Sequence, residues 1–391
     1  MYFWKSCDKL FDSEILFLFA MYQTWKNPFE NFKLVKKRSY ILCKYLHLDC
    51  KNFYSLPPMS KKNLQLNFPQ LTFFDLLPDN VKQRLKINQN LQKKAETIIE
   101  NTKGFRNAIH MWNCCILAMD KTWNIITMAT CKQPWKDKSW INPCLVKRQT
   151  GSAIKPFVYL KAMMDFWRTW GTILEDKPVN FVLNWLKKYI PRNFDMRYHW
   201  KVPLALALWS SLNVPAVTTL DKIWVENFLN FINQLRIKLW DDINQVKKDA
   251  RIYNAEKLGL SAALGTYEMS PLEFVNLRRL FLRSEVWGQK RDFSSEELWE
   301  VWRDKINEIL EILGQNKNRV ISFGLDNNLN VPWWSVKTWT SRHFVDGRTC
   351  WVNKEKQIVL CVWAGNLDQT PMTKPGSESA GFLWNLVVSG F

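Results

Sequence analysis

The sequence predicts a globular chain of mixed α and β elements, and three observations carry that expectation. Two short apolar runs, CCILAMD and NIITMAT, flank a polar turn and read as a β-hairpin. Near the C-terminus ISFGLD, WSVKTWTS, TCWVN and QIVLCVWAG read as strands that close a sheet. Before them the stretch 292–313, DFSSEELWEVWRDKINEILEIL, spaces its apolar residues as an amphipathic helix with a serine N-cap. Its Trp and Leu positions are assigned to core.

Residues 1–50 carry apolar positions at helical spacing. Residues 51–84, with Pro57-Pro58, Pro69 and Pro78, read as a linker. LKINQNLQKKAETIIEN, about 85–101, is an amphipathic helix ahead of the hairpin. The hairpin turn, DKTWN, calls for a residue at positive φ, a conformation that a bulky aromatic resists. A loop rich in Lys and Trp leads to RQTGSAIKPFVYL, where Pro156 fits the first turn of a helix. Residues 176–235 hold several helices, with Ser211 and Asn213 at a break before Pro215.

With 391 residues the chain is long enough for one large or two ordinary domains. Its charged fraction of 23% and hydrophobic fraction of 47% are ordinary, but its net charge of +19 is not. Such a surface suits a polyanion. No finger, arginine-rich tract or other nucleic-acid module accompanies the charge, so no nucleic-acid partner is expected. The nine cysteines are odd in number and form no C-x-x-C pair, which argues against a metal site and a full disulfide framework. Most are expected to be small buried hydrophobes. The apolar run Ile15–Met21 is too short to span a bilayer, and no signal peptide is visible.

Chemistry concentrates in three places. Ser152 and Lys155 are three residues apart, so on a helix the hydroxyl and the amine share a face. A serine beside a desolvated lysine is an activated nucleophile. Downstream come Ser211-Leu212-Asn213, and then Lys337-Thr338 followed by Trp339 and Thr340. Ser-x-x-Lys, Ser-x-Asn and Lys-Thr-Gly in this order form the set of penicillin-binding proteins. Trp339, where that set has glycine, is the departure. His343 and Asp346 lie close by, have no role in the set and read as loop residues.

The wording around the motifs, GSAIKPFVYLKAM, PRNFDMRYHWKVPLALALWSSLNVPAV, LGLSAALGTYEMSPLEF and VLCVWAGNLDQTPM, resembles the transpeptidase module of class A penicillin-binding proteins, with the 1C-type branch nearest. Residues 1–50 resemble the C-terminal remnant of the glycosyltransferase module, without its acidic catalytic motif. The resemblance implies an α+β penicillin-binding/β-lactamase-like fold over 85–391, with an antiparallel sheet packed between helices. It implies a serine D,D-transpeptidase acting on peptidoglycan stem peptides ending in D-Ala-D-Ala, and binding β-lactams. Ser152 would be the nucleophile, Lys155 its base, Ser211 a proton relay and Asn213 a holder of the substrate amide. Lys337, Thr338 and Thr340 would bind the terminal carboxylate, and the backbone N–H groups of Ser152 and Thr340 would form the oxyanion hole. No metal or organic cofactor enters this chemistry, and glycosyl transfer is not expected. Family members act outside the cytoplasmic membrane and carry an N-terminal anchor, which this chain is expected to lack.

Two further readings stay open. An indole at position 339 would fill the cleft and leave a non-catalytic wall-binding or interaction protein. Alternatively, a basic helical protein would bind a polyanion. The composition bears on the first. The chain has 22 Trp and only 13 Gly, against roughly 27 Gly in a chain of this length with average usage. Trp4, Trp123, Trp200, Trp224, Trp339 and Trp351 stand where the family pattern has glycine, and Trp209 where it has a small residue. The pattern follows if the organism reads UGA codons as glycine and they have been translated here as tryptophan. The other explanation is drift in a degenerate gene.

Overall fold

A computed structural model describes residues 84–131, 141–166, 168–184, 187–240, 253–282, 296–315, 320–324 and 326–389. The expected remnant at 1–50, with Trp4, and all but the last residue of the expected linker lie outside the described residues. So does most of the Lys- and Trp-rich loop.

Helix α1 (Gln89–Asn101) starts where the Asn88 side chain accepts the Leu91 N–H at 3.0 Å. Its expected first residues instead run alongside the hairpin, with Lys86 and Asn88 donating to the Ile125 and Ile126 carbonyls. A short helix α2 (Lys103–Ala108) precedes the hairpin of β1 (Asn113–Asp120) and β2 (Ile125–Cys131). In the turn the Asp120 carboxylate gathers the N–H groups of Thr122 and Asn124. Trp123 takes the positive φ of 70° that the turn demands.

The chain continues through β3 (Arg148–Gln149) and α3 (Lys155–Asp165). Four short strands follow: β4 (Ile173–Asp176), β5 (Phe181–Asn184), β6 (Lys187–Tyr189) and β7 (Trp200–Pro203). They correct the expectation of helices across 176–235, which begin only at α4 (Leu204–Trp209), α5 (Asn213–Ile223) and α6 (Val225–Trp240). Segments of this length pair locally, β4 with β7 and β5 with β6, and leave little periodicity to read. Next come α7 (Ala255–Leu258), β8 (Glu268–Met269), α8 (Pro271–Arg278), α9 (Glu296–Gly314) and α10 (Val320–Phe323). Ser270 and Glu273 close a capping box on α8. ISFGLD, expected as a strand, begins as the single turn α10, while Gly324 at φ 71° ends it.

Strands β9 (Ser335–Thr340), β10 (Asp346–Asn353) and β11 (Ile358–Gly365) and helix α11 (Ala380–Val388) complete the chain. The main sheet has the order β2-β1-β11-β10-β9, antiparallel throughout, so the two ends of the described chain meet in one sheet and β9 is an edge. On one face α1 and α11 bury Ala95, Ile99, Leu383 and Trp384 against Ile116, Ala129, Leu360 and Val362. On the other, α8 packs on β1 and β11, and α9 packs on α3 and β9. This is the α+β arrangement expected, with the sheet between helical layers.

Two expectations are corrected here. Among the described residues six cysteines are paired, as Cys114–Cys131, Cys115–Cys144 and Cys350–Cys361. Strand register sets two of these pairs directly opposite one another, information that sequence spacing does not contain. Asp346 is not a loop residue. It opens β10, is buried, and accepts a 2.9 Å hydrogen bond from Trp363 Nε1. Burial pushes its pKa up, against the pull of Arg148. His343 sits in an exposed turn, Arg342–Phe344, at φ 59°.

Candidate active site

Ser152 lies in a 3-10 turn, Gly151–Ile154, that runs straight into α3 at Lys155. Pro156 occupies the first turn of α3, and Gly151 takes φ 56°, which lets the backbone double back into the turn. Lys155 is fully buried. Its Nζ does not hydrogen-bond Ser152. It donates instead to Ser211 O at 2.6 Å, Asn213 Oδ1 at 2.7 Å and Leu212 O at 3.0 Å. A buried ammonium needs three acceptors, and the break between α4 and α5 supplies all of them, whereas a hydroxyl supplies one. Among the described residues the Ser152 side chain has no hydrogen-bond partner.

Desolvation pushes the Lys155 pKa well below the usual lysine value, and the ammonium of Lys337 adds to the shift. The three carbonyl oxygens favour the ammonium form and oppose this. Desolvation prevails because α3 is sealed from water on every side at this point, with Ile154, Phe157, Val158 and Tyr159 also at zero exposure.

Ser211 is held at φ 56° between α4 and α5, with its Oγ 3.5 Å from Lys155 Nζ. Non-glycine residues at such angles are strained and concentrate at functional sites. Asn213 is the first residue of α5. On β9, Lys337 and Thr338 are buried, and the Thr340 hydroxyl accepts the Gly376 N–H at 2.8 Å. Ser152, Ser211, Asn213, Thr338, Trp339 and Thr340 line one cleft of about 960 Å³, beneath which lie Lys155 and Lys337. The fold therefore brings Ser152 together with residues 59 to 188 positions further along the sequence.

Trp339 is the exception within this convergence. It is 7% exposed and lies so closely on Gly151 that a methyl group there would overlap indole atoms Nε1, Cδ1 and Cε2. The indole thus stands beside the turn that carries Ser152, at the wall of the cleft.

Sequence reasoning passed over two residues that hold the site. Asn193 caps α5 from a distance, its Oδ1 accepting the N–H groups of Asn213 at 2.8 Å and Val214 at 3.2 Å. Asp176 in turn accepts from Asn193 Nδ2. The only signal was a Pro-Arg-Asn loop preceding a helix break, with no periodicity to tie the two. Among the described residues no group of three His, Cys, Asp or Glu side chains could hold a metal ion. No helix among them is long and apolar enough to cross a membrane.

No family model matches the chain. Penicillin-binding protein 1B of Vibrio cholerae is 27% identical over 253 residues, covering 60% of this chain and 30% of that protein. Penicillin-binding protein 1A of Aquifex aeolicus is 28% identical over 177 residues, 44% of this chain and 22% of that one. The chain thus spans less than a third of the length of these curated relatives. Among solved structures, penicillin-binding protein 1A from Haemophilus influenzae superposes with a TM-score of 0.59 at 14% identity, covering 98% of this chain and 80% of that one. Penicillin-binding protein PonA1 from Mycobacterium tuberculosis superposes at 0.57 and 14% identity, covering 82% and 87%. At that identity the structures establish the fold. The chain is a distant homologue of the transpeptidase regions of class A penicillin-binding proteins of the 1A and 1B kinds, and it has their α+β fold.

Proposed function

We propose that the chain is a serine D,D-transpeptidase that cross-links peptidoglycan stem peptides through an acyl-enzyme on Ser152. The observation that carries this reading is the convergence of Ser152, Ser211, Asn213, Thr338 and Thr340 on one cleft above a desolvated Lys155. Ser152 Oγ attacks the carbonyl between the two terminal D-alanines, and its proton passes to neutral Lys155. The C–N bond breaks, the leaving D-alanine amine takes a proton through Ser211, and an ester remains on Ser152. Asn213 holds the substrate amide, while Lys337, Thr338 and Thr340 hold its carboxylate. The N–H groups of Ser152 and Thr340 bear the oxyanion, each donor worth about 3–4 kcal/mol of transition-state stabilisation. An amine of a second stem peptide then forms the cross-link, and water in its place would make a carboxypeptidase. A β-lactam takes the donor's place and stays as a stable acyl group. Covalent labelling by a fluorescent penicillin, lost in Ser152→Ala, tests the reading. A chain that takes no label even as Trp339→Gly would end it.

The contact of Trp339 with Gly151 favours a second reading, a penicillin-binding-like protein whose cleft is closed and which serves in wall or partner binding. The choice depends on what residue 339 is in the cell. Trp123, Trp200, Trp224 and Trp333 stand at φ 70°, 63°, 67° and 68°, the conformation glycine adopts freely and a bulky residue does not. Trp200, Trp224 and Trp333 are also 67%, 72% and 75% exposed, so their indoles gain little packing in return. These positions support the view that part of the tryptophan excess is glycine encoded by UGA. A mass spectrum of the tryptic peptide Thr338–Arg342 from the native organism decides it. A glycine mass restores Lys-Thr-Gly and supports an active enzyme, and a tryptophan mass puts the closed cleft ahead.

The finer assignments belong to the same proposal: a 1C-type branch, a glycosyltransferase remnant at 1–50, and a place on the outer side of the cytoplasmic membrane. The paired cysteines support the last, because such bonds persist in oxidising compartments.

A further inference from the structure

Outside the motif residues, a buried polar cluster lies between β4 and the start of α5. Asp176, the last residue of β4, has no solvent exposure. Its carboxylate accepts from Asn193 Nδ2 at 2.8 and 2.9 Å, from the His199 N–H at 2.9 Å, and lies 2.8 Å from His199 Nδ1. Asn193, 3% exposed, also donates to Arg197 O at 2.8 Å. With Nδ2 committed to these oxygens, Asn193 has only one way to face. Its Oδ1 must point at α5, where it takes the N–H groups of Asn213 and Val214.

Helix α5 needs this help because Leu212, its own N-cap residue, has no side-chain acceptor. The neighbouring residue completes the grip. Arg192 O accepts from Asn213 Nδ2 at 2.8 Å, which turns Asn213 Oδ1 toward Lys155 Nζ at 2.7 Å. One unbroken path of hydrogen bonds therefore runs from Asp176 through Asn193 to Asn213 and Lys155.

We infer that Asp176 and Asn193 are positioning residues of the site: they hold the backbone at the start of α5, from which Asn213 reaches Lys155 Nζ, and so set where the Lys155 amine stands relative to Ser152. The inference rests on the transpeptidase reading for its catalytic consequence, but the positioning itself does not require activity.

The test has two arms on the full chain. The first follows backbone amide exchange at Asn213 and Val214 by NMR. The second measures Ser152 acylation by a fluorescent penicillin, separating the rate at saturation from the half-saturating concentration. In Asp176→Ala, exchange at both amides is expected to speed up about tenfold, and the saturating acylation rate to fall about tenfold with half-saturation little changed. The swap of Asp176→Asn with Asn193→Asp restores a donor facing a carboxylate and keeps an acceptor at the α5 N-terminus. It is expected to recover most of both losses, which a merely space-filling role would not give.

Unchanged exchange in Asp176→Ala overturns the inference, and so does a folded swap variant that recovers neither quantity. Should Asp176→Ala fail to fold, Asp176→Asn removes one of the two acceptors at constant shape. It must show the same changes in smaller degree, and no change overturns the inference. If neither the unsubstituted chain nor Trp339→Gly takes penicillin, the transpeptidase reading falls and the exchange arm alone decides the positioning.

Discussion

The indole of Trp339 rests on Gly151, the residue before the candidate nucleophile, leaving no room there even for a methyl group. Both residues belong to elements that the fold cannot easily move, since β9 is hydrogen-bonded into the sheet through β10 and Gly151 is bonded to Gly265 O at 3.0 Å. The contact predicts that Trp339→Gly opens the cleft. Acylation by a fluorescent penicillin should rise by about tenfold or more, since placing the reacting groups correctly is worth at least that much. Equal labelling of the two proteins would mean the indole does not obstruct the donor.

The burial of Lys155 next to Lys337 makes a pH prediction. A base works only when neutral, so the saturating acylation rate should rise with pH through the folded pKa of Lys155. The plateau should begin below the ordinary lysine value of 10.5. Lys337→Ala removes a like charge that disfavours the ammonium, so the Lys155 pKa rises and the rising limb moves to higher pH. A limb that moves down, or stays, would assign the titration to another group. Lys155→Arg, whose guanidinium holds its proton far more tightly than an amine in the same place, should abolish acylation.

The distribution of these features explains what the sequence could reveal. Ser152, Lys155, Asn213 and Lys337 could be singled out as candidates because their motifs depend on local spacing, and the strands of the main sheet were legible because their apolar runs are long. The positive φ of Trp123 was legible from the turn that holds it. Other features depend on which segments meet in space. Asn193 reaches Asn213 across 20 positions, and Lys155 finds its acceptors 56 to 58 positions away instead of on its own helix. Cys350 meets Cys361 because two strands pair in one register. The strands β4 to β7 are too short to leave a period.

Trp224 offers a stability test that involves no substrate. It ends α5 at φ 67° and ψ 130° with its side chain 72% exposed. Only glycine visits that region without strain, and the cost to other residues is about 1–3 kcal/mol. Trp224→Gly should therefore stabilise the chain by about 1–2 kcal/mol in urea unfolding, after the entropy that glycine adds to the unfolded state. Trp224→Ala should gain nothing, because its Cβ meets the same backbone clash. Equal gains in both variants would trace the effect to the exposed indole and not to φ.

Arg278 makes the last prediction, and its sign follows from proton linkage. The side chain is fully buried among the rings of Phe157, Phe274 and Phe281, with its Cζ 5.6–5.8 Å from their centres. It donates once, to Ala153 O at 3.1 Å, and its Nε and Nη1 have no hydrogen-bond partner among the described residues. Desolvation pushes its pKa down from the ordinary guanidinium value to about 9. Between those values the unfolded chain binds the proton more tightly than the folded one, so the guanidinium costs stability in full below about pH 9. That cost is relieved as pH rises through the window. Arg278→Met keeps the apolar stem and removes the charge. Against this stands the hydrogen bond to Ala153 O, worth about 1–3 kcal/mol. Replacing a buried ionic group by a well-packed apolar one is neutral or gains about 1–4 kcal/mol, and that range is expected at pH 7. The parent should then close the gap as unfolding is followed upward from about pH 9. A variant that loses more than about 3 kcal/mol at pH 7, with no change in the gap at higher pH, would show that the Ala153 bond and the ring contacts outweigh the burial of the charge.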